Sequence, residues 1–267
     1  SDNADYMIVV DDDNYPLHNI NWLKEHLDNI CTVRISSKNN IVNPCEPCIV
    51  GKPFHYARGY PKTEYFKDSF ESFDVDFDDM TDIVINTSIW QEDPDVDAQL
   101  LLYTDRLTSI GFEKQYKYLT WGKTYIPINS QNTLVKKEIA PIYWNVHMPK
   151  GMDRYDDIWG GLFATRCAKE YSKKVSFGMP YVAHKRNTHD YLKDYKQEYL
   201  AEIINSTMWK EIMDFNNMSC GNYLNMYQDI AEYLSKSHWY TNSIMNDAVK
   251  EVGHSMYAWI EVVDKVI

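Results

Sequence analysis

Close to the start of the sequence lies a short apolar run, Tyr6–Val10, and three aspartates, Asp11, Asp12 and Asp13, follow it directly. A run of this length that is rich in apolar and β-branched residues predicts a buried strand. In open α/β sheets, ligands bind beyond the carboxyl ends of the strands. Adjacent carboxylates raise one another's pKa, and a divalent cation with hard oxygen ligands removes that cost. The pattern therefore predicts a strand that leads either into a metal site or into a solvated acidic turn.

The elements that follow alternate between strand-like and helix-like patterns, which predicts an α/β fold. Short β-branched and aromatic runs at Asp82–Asn86, Tyr118–Ile128 and Val175–Ala183 predict strands. Apolar residues at three- and four-residue spacing predict helices at Asn19–Ile30 and Asp157–Ser172. The stripe expected to be buried in the first helix consists of Trp22, Leu23, Leu27 and Ile30.

The pattern changes after residue 190, where only helical spacing is found. Apolar residues recur with this spacing in Tyr191–Phe215, Tyr223–Ser235 and Ser243–Val266. We therefore expect two parts, an α/β catalytic part over residues 1–190 and a helical extension over residues 191–267.

Charge and cysteine usage restrict the partners and the compartment. The net charge of −12 argues against a large nucleic-acid footprint, since phosphate binding needs a basic face. No run of 18 apolar residues is found, so we expect no transmembrane segment. The one CxxC, Cys45–Cys48, lacks the second pair that a zinc site needs, so we expect free thiols and a cytoplasmic protein. A Golgi-lumenal or membrane-peripheral location stays open for a chain that is part of a longer protein.

Three further polar clusters are candidates for chemistry. Arg58 lies between aromatic residues and before a glycine, a setting that suits an anion grip or a surface arginine packed on tyrosine rings. Asp156 and Asp157 lie at a predicted helix start, where they either complement the helix dipole or act on a substrate. His184 ends a predicted strand, and such a histidine is either structural or a metal ligand.

In this order the motifs resemble the reversibly glycosylated polypeptide family, whose members include UDP-arabinopyranose mutases. The resemblance covers residues 6–195 and is carried by the strand with DDD, by RGYP, by RYDDIWGG and by the strand-end histidine. Two more segments add to it, the Ile89-Trp90 pair with Asp93–Ala98, and Tyr125–Asn132. The family is similar to GT-A glycosyltransferases, so the resemblance implies a GT-A-like mixed sheet flanked by helices.

The resemblance implies a metal-dependent glycosyltransferase with a nucleotide-sugar donor. The expected donor is a UDP-sugar. Asp11 and Asp13 would hold Mn²⁺ or Mg²⁺ against the diphosphate, with His184 as a further ligand. Asp12 would contact the ribose or the sugar. The expected acceptor is a carbohydrate or glycan, and a homo-oligomer stays open.

The resemblance also assigns roles to the remaining polar residues. Arg58 matches the arginine that is reversibly glycosylated in the family, and by chemistry alone it could clamp a phosphate. Asp156 and Asp157 would bind the donor sugar or accept a proton. The family has a second arginine where this chain has Tyr65, which favours transfer to a separate acceptor over a UDP-sugar mutase or a self-glycosylating protein.

Two alternatives come from other classes of protein. GT-A domains place about three strands before the DxD strand, whereas few residues precede it here, so we expect the fold to lack those strands. A non-catalytic sugar-binding or partner subunit therefore stays open as an alternative. A haloacid-dehalogenase-type phosphatase also begins with a strand and DxD. That mechanism would use the strand end at Asn86–Ser88 and Lys123.

Overall fold

The computed structural model describes residues 4–18, 20–28, 31, 33–48, 55–67, 70–74, 82–103 and 116–266. Eight strands and seven α-helices lie within these ranges. In chain order they are β1 (Tyr6–Val10), β2 (Asn14–Pro16), α1 (Trp22–Leu27), β3 (Val33–Ser36), α2 (Cys45–Cys48), β4 (Glu71–Asp74), β5 (Ile83–Glu92), α3 (Ala98–Tyr103), β6 (Lys117–Thr120), β7 (Asn132–Lys136), α4 (Asp156–Glu170), β8 (Lys174–His184), α5 (Tyr191–Asp214), α6 (Tyr223–Ser235) and α7 (Ser243–Val263).

All eight strands belong to one mixed sheet with the order β1-β7-β5-β8-β6-β3-β4, and β2 pairs with β8. Strand β7 is antiparallel to both β1 and β5, and β5 is parallel to β8. Strands β1, β5 and β8 therefore point the same way, and their carboxyl ends meet at one edge, the carboxyl edge. The predicted α/β class with a mixed sheet, flanking helices and a helical C-terminal part is confirmed.

Strand β8 organises this edge because two short strands pair with different halves of it. Strand β6 pairs with residues Ser176–Gly178, and β2 pairs with Val182–His184. In the second pairing Asn14 lies opposite His184, and the backbone N–H of Lys185 donates to the carbonyl of Asp13 at 2.9 Å. The aspartate turn after β1 is thereby held beside the end of β8.

Helix α4 lies against the sheet and is buried along most of its length. Of the residues that give this segment its helical spacing, Trp159, Leu162, Phe163 and Cys167 are fully buried, and Tyr171 is half-buried. Gly161 is needed for the close approach, because a Cβ at this position would lie 2.6 Å from the carbonyl oxygen of Ile128. Helix α4 is therefore fixed against the backbone that leads into β7.

The three C-terminal helices agree closely with the predicted ranges. Each begins with a side chain that accepts hydrogen bonds from the first-turn amides: Asp190 for α5, Asn222 for α6 and Asn242 for α7. Helix α5 packs against α3 and α4, and α6 packs against α7. Within the described ranges, no helix has the length and apolar character that crossing a membrane requires.

The first predicted helix is shorter than expected, and its predicted burial is wrong at two positions. Leu23 and Leu27 are 51% and 41% exposed, whereas His26 is buried. The His26 ring lies 2.9 Å from the Asn132 side chain, so polar contacts to the sheet set the orientation of α1. Ile30, the last residue of the predicted stripe, lies outside the described residues.

The predicted strand Tyr118–Ile128 is also wrong in its extent. Strand β6 ends at Thr120, since the chain turns at Gly122 with φ of +58°. Tyr125 then forms an isolated bridge with Ile41 and is fully buried, which explains the apolar pattern without a strand.

Candidate functional site

A polar cavity of about 270 Å³ lies at the carboxyl edge, beside the amino end of α4. Seven aspartates and three arginines line it, so its formal charge is −4 with neutral histidines. We call it the acidic cavity. Its ionisable lining residues are Asp11, Asp13, Asp95, Asp153, Asp156, Asp157, Asp194, Arg58, Arg154, Arg186, His184 and His189.

Asp13 and His184 form a pair suited to a divalent cation. The His184 Nε2 atom lies 3.2 Å from Asp13 Oδ2. The other ring nitrogen, Nδ1, lies 2.7 Å from the carbonyl oxygen of Asp93, which fixes it as the donor. In the neutral ring the lone pair is then on Nε2, which faces Asp13, and this is the arrangement found in metal-ligating histidines whose second nitrogen is held by a carbonyl.

Asp11 lies in the same cavity but contacts a different partner. The Ser130 hydroxyl donates to Asp11 Oδ1 at 3.2 Å. Burial, together with nearby Asp157, raises the pKa of Asp11 to about 6. Among the described residues, Asp11, Asp13 and His184 do not form a group of three candidate ligands whose atoms all lie within 4.8 Å of one another. The uncompensated charge of Asp11 is nonetheless consistent with a cation in the cavity.

Arg58 is the central cation of the site and is 9% exposed. Its Nη2 donates to Asp157 Oδ2 at 2.9 Å, its Nη1 donates to the carbonyl of Arg154 at 2.7 Å, and its Nε lies 3.3 Å from Asp95. Burial opposes the charged form, but Asp157 and Asp95 outweigh it and raise the pKa of Arg58. All three guanidinium nitrogens are thus engaged within the protein.

The two aspartates at the start of α4 differ in their surroundings. Asp157 is buried and accepts from the backbone N–H of Ile158 at 2.9 Å and of Ser130 at 3.2 Å, besides Arg58. Asp156 lines the cavity, and burial together with Asp157 raises its pKa. Asp157 is therefore held in place by its hydrogen bonds, whereas Asp156 is the carboxyl better suited to carry a proton.

A second acidic group lies next to the cavity, between α3 and α5. Asp97, Glu198 and Glu202 are buried, and each offers a carboxylate oxygen within 4.8 Å of the others. Burial and mutual repulsion raise the pKa of both Asp97 and Glu202. Lys62 pairs with Glu202, and the Tyr65 hydroxyl donates to Asp97 at 3.0 Å. These oxygens could also hold a metal ion.

The structure brings most of the predicted site residues to one cavity. Asp11, Asp13, Arg58, Asp156, Asp157 and His184 all line it. Asp12 is exposed in the turn and does not line the cavity. Several lining residues had no predicted role, among them Arg186 and three residues that lie inside the quoted segments: Asp95, Ser130 and Arg154.

Comparison with known proteins gives relatives among plant enzymes. "Probable UDP-arabinopyranose mutase 1" of Zea mays is 21% identical over 271 residues, covering 98% of this chain and 68% of the maize protein. "UDP-arabinopyranose mutase 1" of Oryza sativa subsp. japonica and "UDP-arabinopyranose mutase 2" of Arabidopsis thaliana are each 22% identical over 98% of this chain, covering 68% and 69% of those proteins.

The family model described as "Reversibly glycosylated polypeptide" matches residues 3–267. The match therefore extends through α5, α6 and α7, beyond the stretch that carries the recognised motifs. The predicted resemblance is confirmed. This chain belongs to the reversibly glycosylated polypeptide family.

Proposed function

We propose that this protein is a metal-dependent enzyme that binds a UDP-sugar in the acidic cavity and breaks the bond between the sugar and the diphosphate. The observation that carries the proposal is the Asp13–His184 pair at the carboxyl edge, with 3.2 Å between the two candidate ligand atoms. The relatives named as UDP-arabinopyranose mutases support the choice of a UDP-sugar.

Charge balance supports a cation as part of the bound state. A diphosphate would meet a cavity of net negative charge in which all three nitrogens of Arg58 already have partners. Asp13 and His184 would hold Mn²⁺ or Mg²⁺, with Asp11 as a further carboxylate in the same cavity. When bound, the ion supplies Lewis acidity to the leaving diphosphate.

The protein's own residues divide the remaining work. Arg58 fixes Asp95 and Asp157 and so keeps the floor of the cavity rigid. Asp156, whose pKa is raised, is placed to exchange a proton with a sugar hydroxyl. Asp157 would orient the sugar and stabilise positive charge that develops at its anomeric carbon.

Two reactions share this first step. Ring interconversion of a UDP-sugar, the mutase reaction, is favoured by the names of the relatives. Transfer to a separate acceptor is favoured by Tyr65, which contacts Asp97 at the position where the family carries a second arginine. Of the two reactions we favour the mutase reaction, because the relatives that carry this name align with nearly the whole chain.

The binding step is tested by calorimetry with UDP and Mn²⁺. We expect Mn²⁺ to raise the affinity of the wild type for UDP, and Asp13→Asn to reduce this metal-dependent gain about 100-fold, since it removes a charged ligand. Asp247→Asn is the control, because it removes one charge from an exposed position on α7. An affinity for UDP that Mn²⁺ does not change, or an equal gain from Mn²⁺ in Asp13→Asn, would contradict the proposal.

The reaction is tested by incubating the protein with UDP-pentoses and UDP-hexoses and separating the products by chromatography. A mutase converts one UDP-sugar into its ring isomer without releasing UDP. A transferase releases UDP, and the release rises when a glycan acceptor is added. Absence of both products with every donor and with Mn²⁺ present would remove the enzymatic proposal.

A further inference from the structure

A second cavity lies at the opposite end of α4 and differs in charge. It has a volume of about 520 Å³ and is bounded by the carboxyl end of α4, the start of β8 and the turn after β6. Five basic residues and one acidic residue line it, in a chain whose net charge is −12. We call it the basic cavity. Its charged lining residues are Lys123, Arg166, Lys169, Lys173, Lys174 and Glu170.

Two of these cations have evident structural roles. The Arg166 Nε donates to the carbonyl of Phe215 at 3.1 Å, and its Nη2 lies 2.7 Å from Glu170. Lys173 pairs with Asp82 at 2.9 Å. These contacts join α4 to the end of α5 and β8 to the start of β5, so they explain Arg166 and Lys173 without a ligand.

Lys169 is not explained in this way. Its Nζ contacts the Thr120 hydroxyl at 3.3 Å and the carbonyl of Gly122 at 3.0 Å, so two of its three N–H groups have neutral partners. No carboxylate in the described ranges forms an ion pair with it. Burial lowers its pKa to about 7, the expected result for an ammonium group without a nearby negative charge.

Lys123 adds a second uncompensated charge at the same cavity. It follows Gly122, is exposed, and forms no ion pair with any residue that the structure describes. Trp121 and Met213 supply an apolar wall, and the guanidinium carbon of Arg34 lies 4.7 Å from the centre of the Trp121 ring. The cavity therefore combines unpaired ammonium groups with a surface on which an uncharged ring can pack.

The helix end does not cancel this charge. The carboxyl end of a helix carries about half a negative charge, which opposes an anion. The lining has five cations and one anion, a formal surplus of four positive charges. This surplus is several times larger than the partial negative charge of the helix end, so the cavity attracts anions.

We propose that the basic cavity binds a phosphorylated small molecule, with Lys169 and Lys123 contacting the phosphoryl oxygens and Trp121 and Met213 contacting the rest of the molecule. Lysine is a common phosphate ligand that acts as a point charge. The volume lies within the range of small-molecule sites and exceeds what a phosphate ion alone would fill. The proposal does not depend on the function of the acidic cavity.

Calorimetry with inorganic pyrophosphate and with AMP tests this site, with EDTA present so that metal-dependent binding in the acidic cavity is absent. We expect the wild type to bind both probes. Lys169→Met should weaken binding at least tenfold and Lys123→Met several-fold, because each removes one charge at nearly constant volume. Lys196→Met, an exposed position on α5 outside both cavities, should bind like the wild type.

Circular dichroism establishes that each variant is folded before its affinity is compared. If Lys169→Met does not fold, the comparison of Lys123→Met with Lys196→Met decides by the same criterion, since both positions are exposed. Failure of the wild type to bind either probe at millimolar concentration would overturn the proposal. Affinity that is unchanged in Lys123→Met would overturn it as well.

Discussion

The two ends of α4 carry opposite charge. At the amino end, seven aspartates face three arginines, and at the carboxyl end five basic residues face one glutamate. The helix has 15 residues, so its ends lie about 22 Å apart. That separation is about twice the Debye length at moderate salt, so the two surpluses do not neutralise each other in solution.

Ion pairs within a cavity do not make the cavity neutral. At the amino end Arg58 is fully engaged by Asp95, Asp157 and a carbonyl, yet a surplus of carboxylates remains. At the carboxyl end Arg166 and Lys173 are paired, yet Lys169 is not paired with any carboxylate in the described ranges. Each end therefore favours a counter-ion of its own, a cation at the acidic cavity and an anion at the basic cavity.

The largest effect is expected from Arg58→Ala at the amino end. It leaves Asp95 and Asp157 buried without their cation, which costs about 3–5 kcal/mol of unfolding free energy. Urea unfolding measures the loss. Arg186→Ala is the matched control in the same cavity, because Arg186 is only half-buried and its guanidinium contacts a carbonyl, not a carboxylate. Equal losses in the two variants would show that the ion pairs around Arg58 contribute little.

The next effect is expected from Gly161→Ala, which tests whether α4 holds both ends in place. In an exposed helix this change stabilises by up to about 1 kcal/mol. Here the new Cβ would lie 2.6 Å from the Ile128 carbonyl oxygen, so we expect a loss of about 1–3 kcal/mol as the helix shifts. Thermal unfolding measures it, and a stabilised variant would contradict the close packing described for α4.

A smaller effect should appear as a pH dependence at Asp11. Its pKa is about 6 in the folded protein and 3.8 ordinarily, so the folded state binds the proton more tightly than the unfolded state. This contribution to stability is present at low pH and is lost as the pH rises from about 4 to 6. Asp11→Asn should therefore become more stable relative to wild type across this window, measured by urea unfolding.

Repeating these measurements with Mn²⁺ tests whether a cation compensates the charge of Asp11. A bound cation favours the ionised form of Asp11, so it should remove or reverse the advantage of Asp11→Asn above pH 6. Parallel pH profiles for the two proteins, with and without metal, would show that Asp11 carries no uncompensated charge.

The smallest effect is expected from Tyr65→Phe, beside the acidic cavity. The hydroxyl donates to Asp97 at 3.0 Å and helps to lower a pKa that burial and Glu202 raise. We expect a loss of about 1 kcal/mol. The loss should be greater at pH 9 than at pH 6, because the carboxylate form of Asp97 depends most on the donor. A loss that is independent of pH would contradict this role.

The elements that sequence analysis predicted best are those whose pattern is local. Helices α5, α6 and α7 follow from apolar spacing and from caps such as Asn222, which need no knowledge of distant residues. Strands β2, β3 and β4 have three or four residues each and were missed, because pairing with other strands defines them. Leu23 was wrongly predicted to be buried, because contacts of His26 with distant residues of the sheet decide the orientation of α1.

Local patterns likewise predict some residues of the candidate site and miss others. Asp13 and His184 could be predicted because each ends or follows a recognisable strand. Asp95 and Ser130 could not be assigned, because the loops that carry them have no periodic pattern and their roles arise from contacts with Arg58 and Asp11. Lys169 appeared only as part of a helix, and only the three-dimensional structure shows that no carboxylate in the described ranges pairs with it.

The pairing of β2 with β8 has a consequence for synthesis. Asp13 and His184 are separated by 171 residues, and three residue pairs between β2 and β8 bring them together. Contacts of such long range form late in folding, because loop closure must precede them. On the ribosome the amino-terminal aspartates emerge long before their histidine, so the nascent chain cannot assemble this pair early. Ion capture by Asp13 and His184 would therefore report that β8 has been made and docked.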